Sequence, residues 1–169
     1  LRTNQKANAR NAFQYSAYNN SNKLQQQISR FNYAKLSYEL GYQDIALNEM
    51  KKYLNDYPNS EYDTEAKEIL VSLMANTNNF ADALQLYESF DKPTASMQKV
   101  YPRILYGRAV ELINDQQIKR GDDLLTKVLA LPNSAVTPYA NFWKGEIAYR
   151  NKEYDNAIKY LSFYMLANV

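Results

Sequence analysis

Ser96 and Lys99 stand three apart, the Ser-x-x-Lys spacing in which a lysine amine can take the proton of a serine hydroxyl attacking an acyl carbon. Such a dyad also needs backbone N–H groups gathered into an oxyanion pocket, and no loop of that kind surrounds it, so the spacing reads as chance. Two acidic pairs, Glu65 with Glu68 and Asp122 with Asp123, could share general acid–base work. Both read better as a solvated helix face or a helix N-terminus, where the helix dipole favours carboxylates. The chain has no His and no Cys, which removes the commonest general base, the thiol nucleophile and nearly every zinc site. Its four glycines are isolated and cannot form a loop that cradles phosphate. No Asp-x-Asp-x-Asp-Gly run marks a calcium loop. The expectation is a protein without catalytic residues, cofactor or metal.

Charge narrows the partners. Lys and Arg total 20 against 18 Asp and Glu, a net charge of +2, which makes no electrostatic case for nucleic acid or an anionic membrane. The longest apolar run, Ile69 to Ala75, is far too short to cross a bilayer. Without Cys no disulfide framework forms, and either redox compartment fits. The opening Leu1-Arg2-Thr3-Asn4-Gln5 is polar and lacks an initiator Met, which leads to the expectation of a longer parent protein. Tyr is abundant at 16 residues, and Asn is frequent, a composition common in AT-rich bacterial genomes.

The elements that must position any site are helices, because strand-like alternation is absent. A leading helix is expected over 7–20, with Ala12, Tyr15 and Tyr18 on one side. The next runs over 23–40 on Leu24, Ile28, Phe31, Ala34 or Lys35, and Tyr38, and Gly41 ends it as a left-handed residue. Further helices are expected over 43–56, 60–75, 80–90, 102–114, 117–131, 137–150 and 153–167. Ser60 reads as an N-cap with Asp63 completing a capping box, Thr137-Pro138 as a cap followed by a first-turn Pro, and Pro102 as another first-turn Pro. Segment 94–101 is open between a helical turn and a linker. Phe13, Tyr53, Phe80, Tyr87, Tyr154, Tyr160 and Phe163 sit at helical spacing and are expected in the core.

A motif returns along these helices. Tyr42 to Leu47, Phe80 to Leu84 and Tyr154 to Ile158 share one pattern, and the small anchors Ala46, Ala83, Gly121 and Ala157 are 37, 38 and 36 residues apart. A period of this size indicates stacked supersecondary units. Small residues also recur on the preceding helix, pairing Ala34 with Ala46, Val71 with Ala83, Gly107 with Gly121 and Gly145 with Ala157. Small side chains let paired helices approach. The Gly107–Gly121 separation of 14 residues, against 12 for the rest, predicts a longer turn around Asp115-Gln116.

These residues resemble the tetratricopeptide repeats. Ala34, Gly41, Tyr53 and Pro58 fit one unit, and Tyr139, Trp143, Gly145, Tyr149, Tyr154, Ala157 and Ile158 fit another, while 62–90 and 97–132 depart from the pattern. The resemblance implies an all-α, right-handed α-solenoid of about four helix-turn-helix repeats (23–58, 61–92, 97–132, 137–167) plus the leading helix, one domain over 1–169 from a longer array. The overall look is similar to bacterial cell-envelope repeat proteins of the Tol-Pal-associated or outer-membrane-assembly kind, which implies periplasm or envelope rather than cytoplasm.

By the same resemblance the first helix of each repeat lines a concave groove that takes a peptide or partner protein. Phe31, Lys35, Tyr38 and Glu39 would line it from the first repeat, and Glu68, Ser72 and Asn76 from the second. Tyr101, Arg108 and Glu111 would follow from the third, and Tyr139, Phe142, Glu146, Tyr149 and Arg150 from the fourth. The alternative is an assembly spacer that associates through its ends, because the last helix finishes Phe163-Tyr164-Met165-Leu166, apolar and without a polar cap.

Overall fold

In a computed structural model the chain is all-helical. The structure describes residues 3–167, and among them there is no strand. The helices are α1 (Thr3–Asn19), α2 (Lys23–Glu39), α3 (Gln43–Asp56), α4 (Asp63–Asn76), α5 (Phe80–Glu88), α6 (Ala95–Asn114), α7 (Ile118–Ala130), α8 (Thr137–Arg150) and α9 (Tyr154–Leu166). None is long and apolar enough to cross a membrane. The fold divides into two compact units, the first running to Asn79 and the second starting at Phe80. This boundary falls inside the expected repeat 61–92.

In the first unit α2 packs against α1, α3 and α4. Phe31, Met50, Tyr53, Leu73 and Val71 are fully or almost fully buried there. Two arginines strap the helices together. The Arg10 guanidinium lies 4.9 Å from the Tyr33 ring centre and 4.6 Å from that of Tyr42, and its Nε donates to Ser37 Oγ at 2.9 Å. Arg30 pairs with Asp56 and sits over the rings of Tyr18 and Tyr57. In the second unit α7 packs on α6 and α8, and α9 on α8. Its core gathers Leu105, Ala109, Ile113, Leu125, Val128, Ala140 and Ile147.

Four turns share one geometry. Gly41, Asn78, Gln116 and Lys152 have φ of 84°, 58°, 62° and 64°. The residue after each donates its N–H five positions back across a helix C-terminus: Tyr42 to Ser37 O, Asn79 to Met74 O, Gln117 to Leu112 O and Glu153 to Ala148 O, all at 2.8–2.9 Å. That is the left-handed termination that satisfies the last carbonyls of a helix. The turn residues are spaced 78 − 41 = 37, 116 − 78 = 38 and 152 − 116 = 36, the same steps as the small anchors five positions on. Ala46, Ala83, Gly121 and Ala157 are all buried.

This register corrects one expected pair. Seven residues before each turn lie Ala34, Val71, Ala109 and Gly145, all buried, so the counterpart of Gly121 is Ala109, 12 residues earlier, and not Gly107. Asp115–Gln117 joins α6 to α7 in three residues, as Leu40–Tyr42 joins α2 to α3 and Asn151–Glu153 joins α8 to α9, so no longer turn exists. A Cβ on Gly121 would stand 2.9 Å from Ala109 O and 2.6 Å from Ile113 Cγ1. Gly107 instead admits the Phe80 ring, which a Cβ there would meet at 2.5 Å.

Other departures have local causes. α6 starts at Ala95 because Thr94 caps it, its hydroxyl accepting the Met97 N–H at 3.4 Å, so Pro102 is a buried residue inside the helix. Ser60 is not a cap, since its hydroxyl accepts the Tyr53 O–H at 2.8 Å and α4 begins at Asp63. Thr137 opens α8, with Pro138 in the first turn, and its hydroxyl accepts the Ser134 N–H at 2.9 Å. Among the described side chains of α1 the buried one is Ala17, with Phe13 half-buried, while Ala12 and Tyr15 face solvent and Tyr18 is half exposed. Tyr53 and Tyr87 are core as expected, but Tyr154 and Phe163 are more than half exposed because no helix covers that side of α9 among the described residues.

Candidate interaction surfaces

The expected groove residues fall into both units, and each set has its own surroundings. In the first unit Phe31 is only 2% exposed. Its ring stacks on Tyr62 at 4.4 Å and tilts against Tyr53 at 5.5 Å, so it joins helices and offers no face to a partner. Lys35 donates to Glu65 at 2.6 Å, tying α2 to α4, and Lys6 donates to Glu39 at 2.8 Å, tying α2 to α1. Tyr38 is half-buried, as are Glu68 and Ser72, and Asn76 is exposed at the last residue of α4. Lys35 and Glu39 are thus engaged within the unit, and such exposed pairs contribute on the order of 1 kcal/mol or less.

In the second unit the structure brings Tyr139 and Phe142 together with three rings outside the expected set. Tyr139 lies 6.2 Å from Tyr106 of α6 and 6.4 Å from Tyr164 of α9. Phe142 lies 5.3 Å from Tyr164 and 5.9 Å from Trp143. Tyr139 is exposed and the other four are half-buried. Burial pushes the Tyr106 hydroxyl up from its ordinary pKa, opposed by the hydrogen bond it accepts from the Trp143 indole N–H. These distances suit tilted, edge-biased aromatic pairs, which hold one another in place while leaving ring surface open.

The remaining candidates lie in smaller groups. Tyr101 stacks on Tyr87 at 4.0 Å with rings 7° from parallel, and burial, followed by the nearby Glu88 charge, pushes its hydroxyl up. Arg108 pairs with Glu111 at 2.9 Å, and Arg150 approaches Glu146 at 4.0 Å. Tyr149 is exposed and meets Tyr154 edge-on at 6.0 Å.

Chemistry finds little to build on. Among the described residues no group of three His, Cys, Asp or Glu is placed to hold a metal, and no buried side-chain polar atom lacks a hydrogen-bond partner. Ser96 and Lys99 are both exposed in the first turns of α6. Asp122 is engaged by Lys144 of α8 at 2.8 Å, and Glu65 by Lys35. Neither acidic pair therefore converges in a cleft as free carboxylates.

The signal for Tyr106 and Tyr164 was present in the sequence but unused. Tyr106 precedes Gly107 on the helix that carries Tyr101 and Arg108, and Tyr164 lies in the apolar end of the last helix, Phe163-Tyr164-Met165-Leu166. Only the folded chain shows that both meet Tyr139 of α8. A scan against models of protein families finds no match to this chain, and a search of curated proteins finds none either.

Proposed function

We propose that the chain is an array of tetratricopeptide-type hairpins, stacked as a right-handed α-solenoid, that works as a non-enzymatic scaffold for a peptide or partner protein. The turns at Gly41, Asn78, Gln116 and Lys152, each five residues before a buried small residue, support the repeat reading. The observation that carries the binding role is the cluster of Tyr106, Tyr139, Phe142, Trp143 and Tyr164 on the second unit. Half-buried rings offer large contact area with few rotors to freeze, which is why aromatic residues dominate binding hot spots. Helices supply the rigid base that keeps the cost of ordering low.

The test is capture of partners from the native cell on immobilised protein, repeated with Tyr139→Ala plus Phe142→Ala. The double variant should keep its helix content by circular dichroism and lose the partner. Unchanged capture by a folded double variant would remove this surface from the reading.

A second reading, assembly through the ends, rests on the outer face of α9, where Ile158, Met165 and Leu166 are 66%, 80% and 80% exposed. Light scattering over a concentration series should then show association that Phe163→Glu plus Leu166→Glu abolishes. A strictly monomeric wild type would end it.

A further inference from the structure

We infer that the α7–α8 connection carries a docking surface for an extended acidic peptide segment. Two cavities flank this loop, of about 520 Å³ and about 550 Å³, and Asn133 and Ser134 line both. Their size is that of ordinary ligand sites. The larger is walled by the stacked Tyr87 and Tyr101, by Leu131 and by Pro93, Pro102 and Pro132. The smaller is walled by Leu129, Pro138, Tyr160 and Phe163. Rings and prolines have little freedom to lose, so these walls are preformed for apolar side chains.

The charges on the two cavities are of one sign. No carboxylate lines either, and the only charged lining residues are Lys99 in one and Lys159 in the other. In a chain with 18 acidic residues against 20 basic ones, that is a local bias, not a consequence of net charge. Neither lysine has a partner among the described residues, whereas Lys144 of the same unit is held by Asp122 and Thr126. Glu88, the carboxylate that acts on Tyr101, lines a separate cavity with Arg108 and Arg120.

Polar groups fix the backbone chemistry. The Gln98 amide is already engaged by Pro93 O at 2.9 Å and that of Asn141 by Thr137 O at 3.1 Å. The Asn133 amide, on the shared wall, has no hydrogen bond among the described residues and can donate to and accept from a peptide backbone crossing the loop. An occupant with apolar side chains for two cavities, carboxylates for two lysines and a backbone for Asn133 is an acidic peptide. A single nucleic-acid strand would ask for a run of cations along its phosphates, and two lysines do not supply one.

The surface is separate from the aromatic cluster, so the two stand or fall apart. The experiment is fluorescence anisotropy on the full chain with a labelled peptide that alternates Glu with Phe, Leu and Pro. Its counterpart with Lys in place of Glu and a labelled oligothymidylate are the comparison probes. The acidic peptide should bind, the basic one should not, and added salt should weaken the binding. Lys99→Glu plus Lys159→Glu should reduce its affinity by about tenfold or more with helix content unchanged, while Lys119→Glu plus Lys127→Glu and Tyr139→Ala should leave it near wild type. No binding of the acidic peptide, an equal loss in the Lys119 and Lys127 control, or preference for the oligothymidylate would overturn the proposal.

Discussion

Gly121 shows how one atom decides the spacing of two helices. In a helix interior Ala is favoured over Gly by about 1 kcal/mol, so propensity alone would make Gly121→Ala stabilising. The added methyl would stand 2.9 Å from Ala109 O and 2.6 Å from Ile113 Cγ1. A backbone oxygen cannot swing aside, so α6 and α7 would have to part, and overpacking of this kind costs about 1–3 kcal/mol. The expected result is a net loss of about 1 kcal/mol in urea unfolding, the clash outweighing propensity. A gain in stability would mean that the helices adjust freely there. Tyr18 offers a second test, set by protons. Burial, then its 2.8 Å hydrogen bond to Glu49 and the charge of that carboxylate, push its hydroxyl from 10.0 up to about 12. The folded state therefore holds this proton more tightly than the unfolded chain. Its contribution is fully present below pH 10 and is lost as pH rises towards about 12. Tyr18 is half exposed, so the slope is shallow, but Tyr18→Phe should flatten it in a stability–pH profile. Parallel profiles across that window would show that the hydroxyl contributes nothing.

At the scale of the element, the helix terminations are the repeating device. Of the five left-handed residues among those described, four, Gly41, Asn78, Gln116 and Lys152, sit at these terminations, and only the first is free of a side-chain penalty. A residue with a Cβ pays about 1–2 kcal/mol in that conformation, so Gly41→Ala should lower stability by about 1 kcal/mol. Lys152→Gly should raise it by up to about 1 kcal/mol, the larger unfolded-state entropy of Gly taking back part of the gain. Opposite signs at two equivalent turns, read from thermal melts, are the check, and equal signs would break the equivalence. These turns also explain what was legible. Gly41 and the Asn76–Asn79 run announce two of them in the sequence, and aliphatic spacing placed α2, α3, α7 and α9 within one residue at each end. Gln116 and Lys152 carry no such signal, because neither residue type prefers a left-handed backbone. The late start read for the helix at Pro102 came from treating Pro as a first-turn residue, although Thr94 offered a cap eight residues earlier. The candidate surface was less legible than the helices. Phe31 and Tyr139 both sit at helical spacing, yet one is 2% exposed and the other 40%. Periodicity tells which face of a helix is apolar, and only the neighbouring helices tell which of those rings they cover.

For the whole molecule the relevant quantity is how much each unit holds within itself. In a repeat array, stability is close to a sum over units and their nearest neighbours, so a segment with a closed core can persist alone. The first unit ends at Asn79, one residue after the left-handed Asn78, in a turn where no helix has to be broken. Within it Phe31, Met50, Tyr53, Leu70 and Leu73 are buried, and Arg10 and Arg30 tie α1, α2 and α3 together. The second unit has its own buried set, from Leu105 and Ile113 through Leu125 and Val128 to Ile147. Segments of roughly eighty to ninety residues can fold alone but are marginal, with net stability of order 5 kcal/mol. We therefore expect residues 1–79 and 80–169, produced separately, each to give a helical circular-dichroism spectrum and a cooperative thermal transition, with the two spectra summing to that of the full chain. The second fragment should retain the Tyr139-dependent capture, because all five rings of the cluster lie on it. A fragment with a coil spectrum would show that its core is insufficient by itself. A well-folded second fragment without capture would place the partner's contacts outside that cluster.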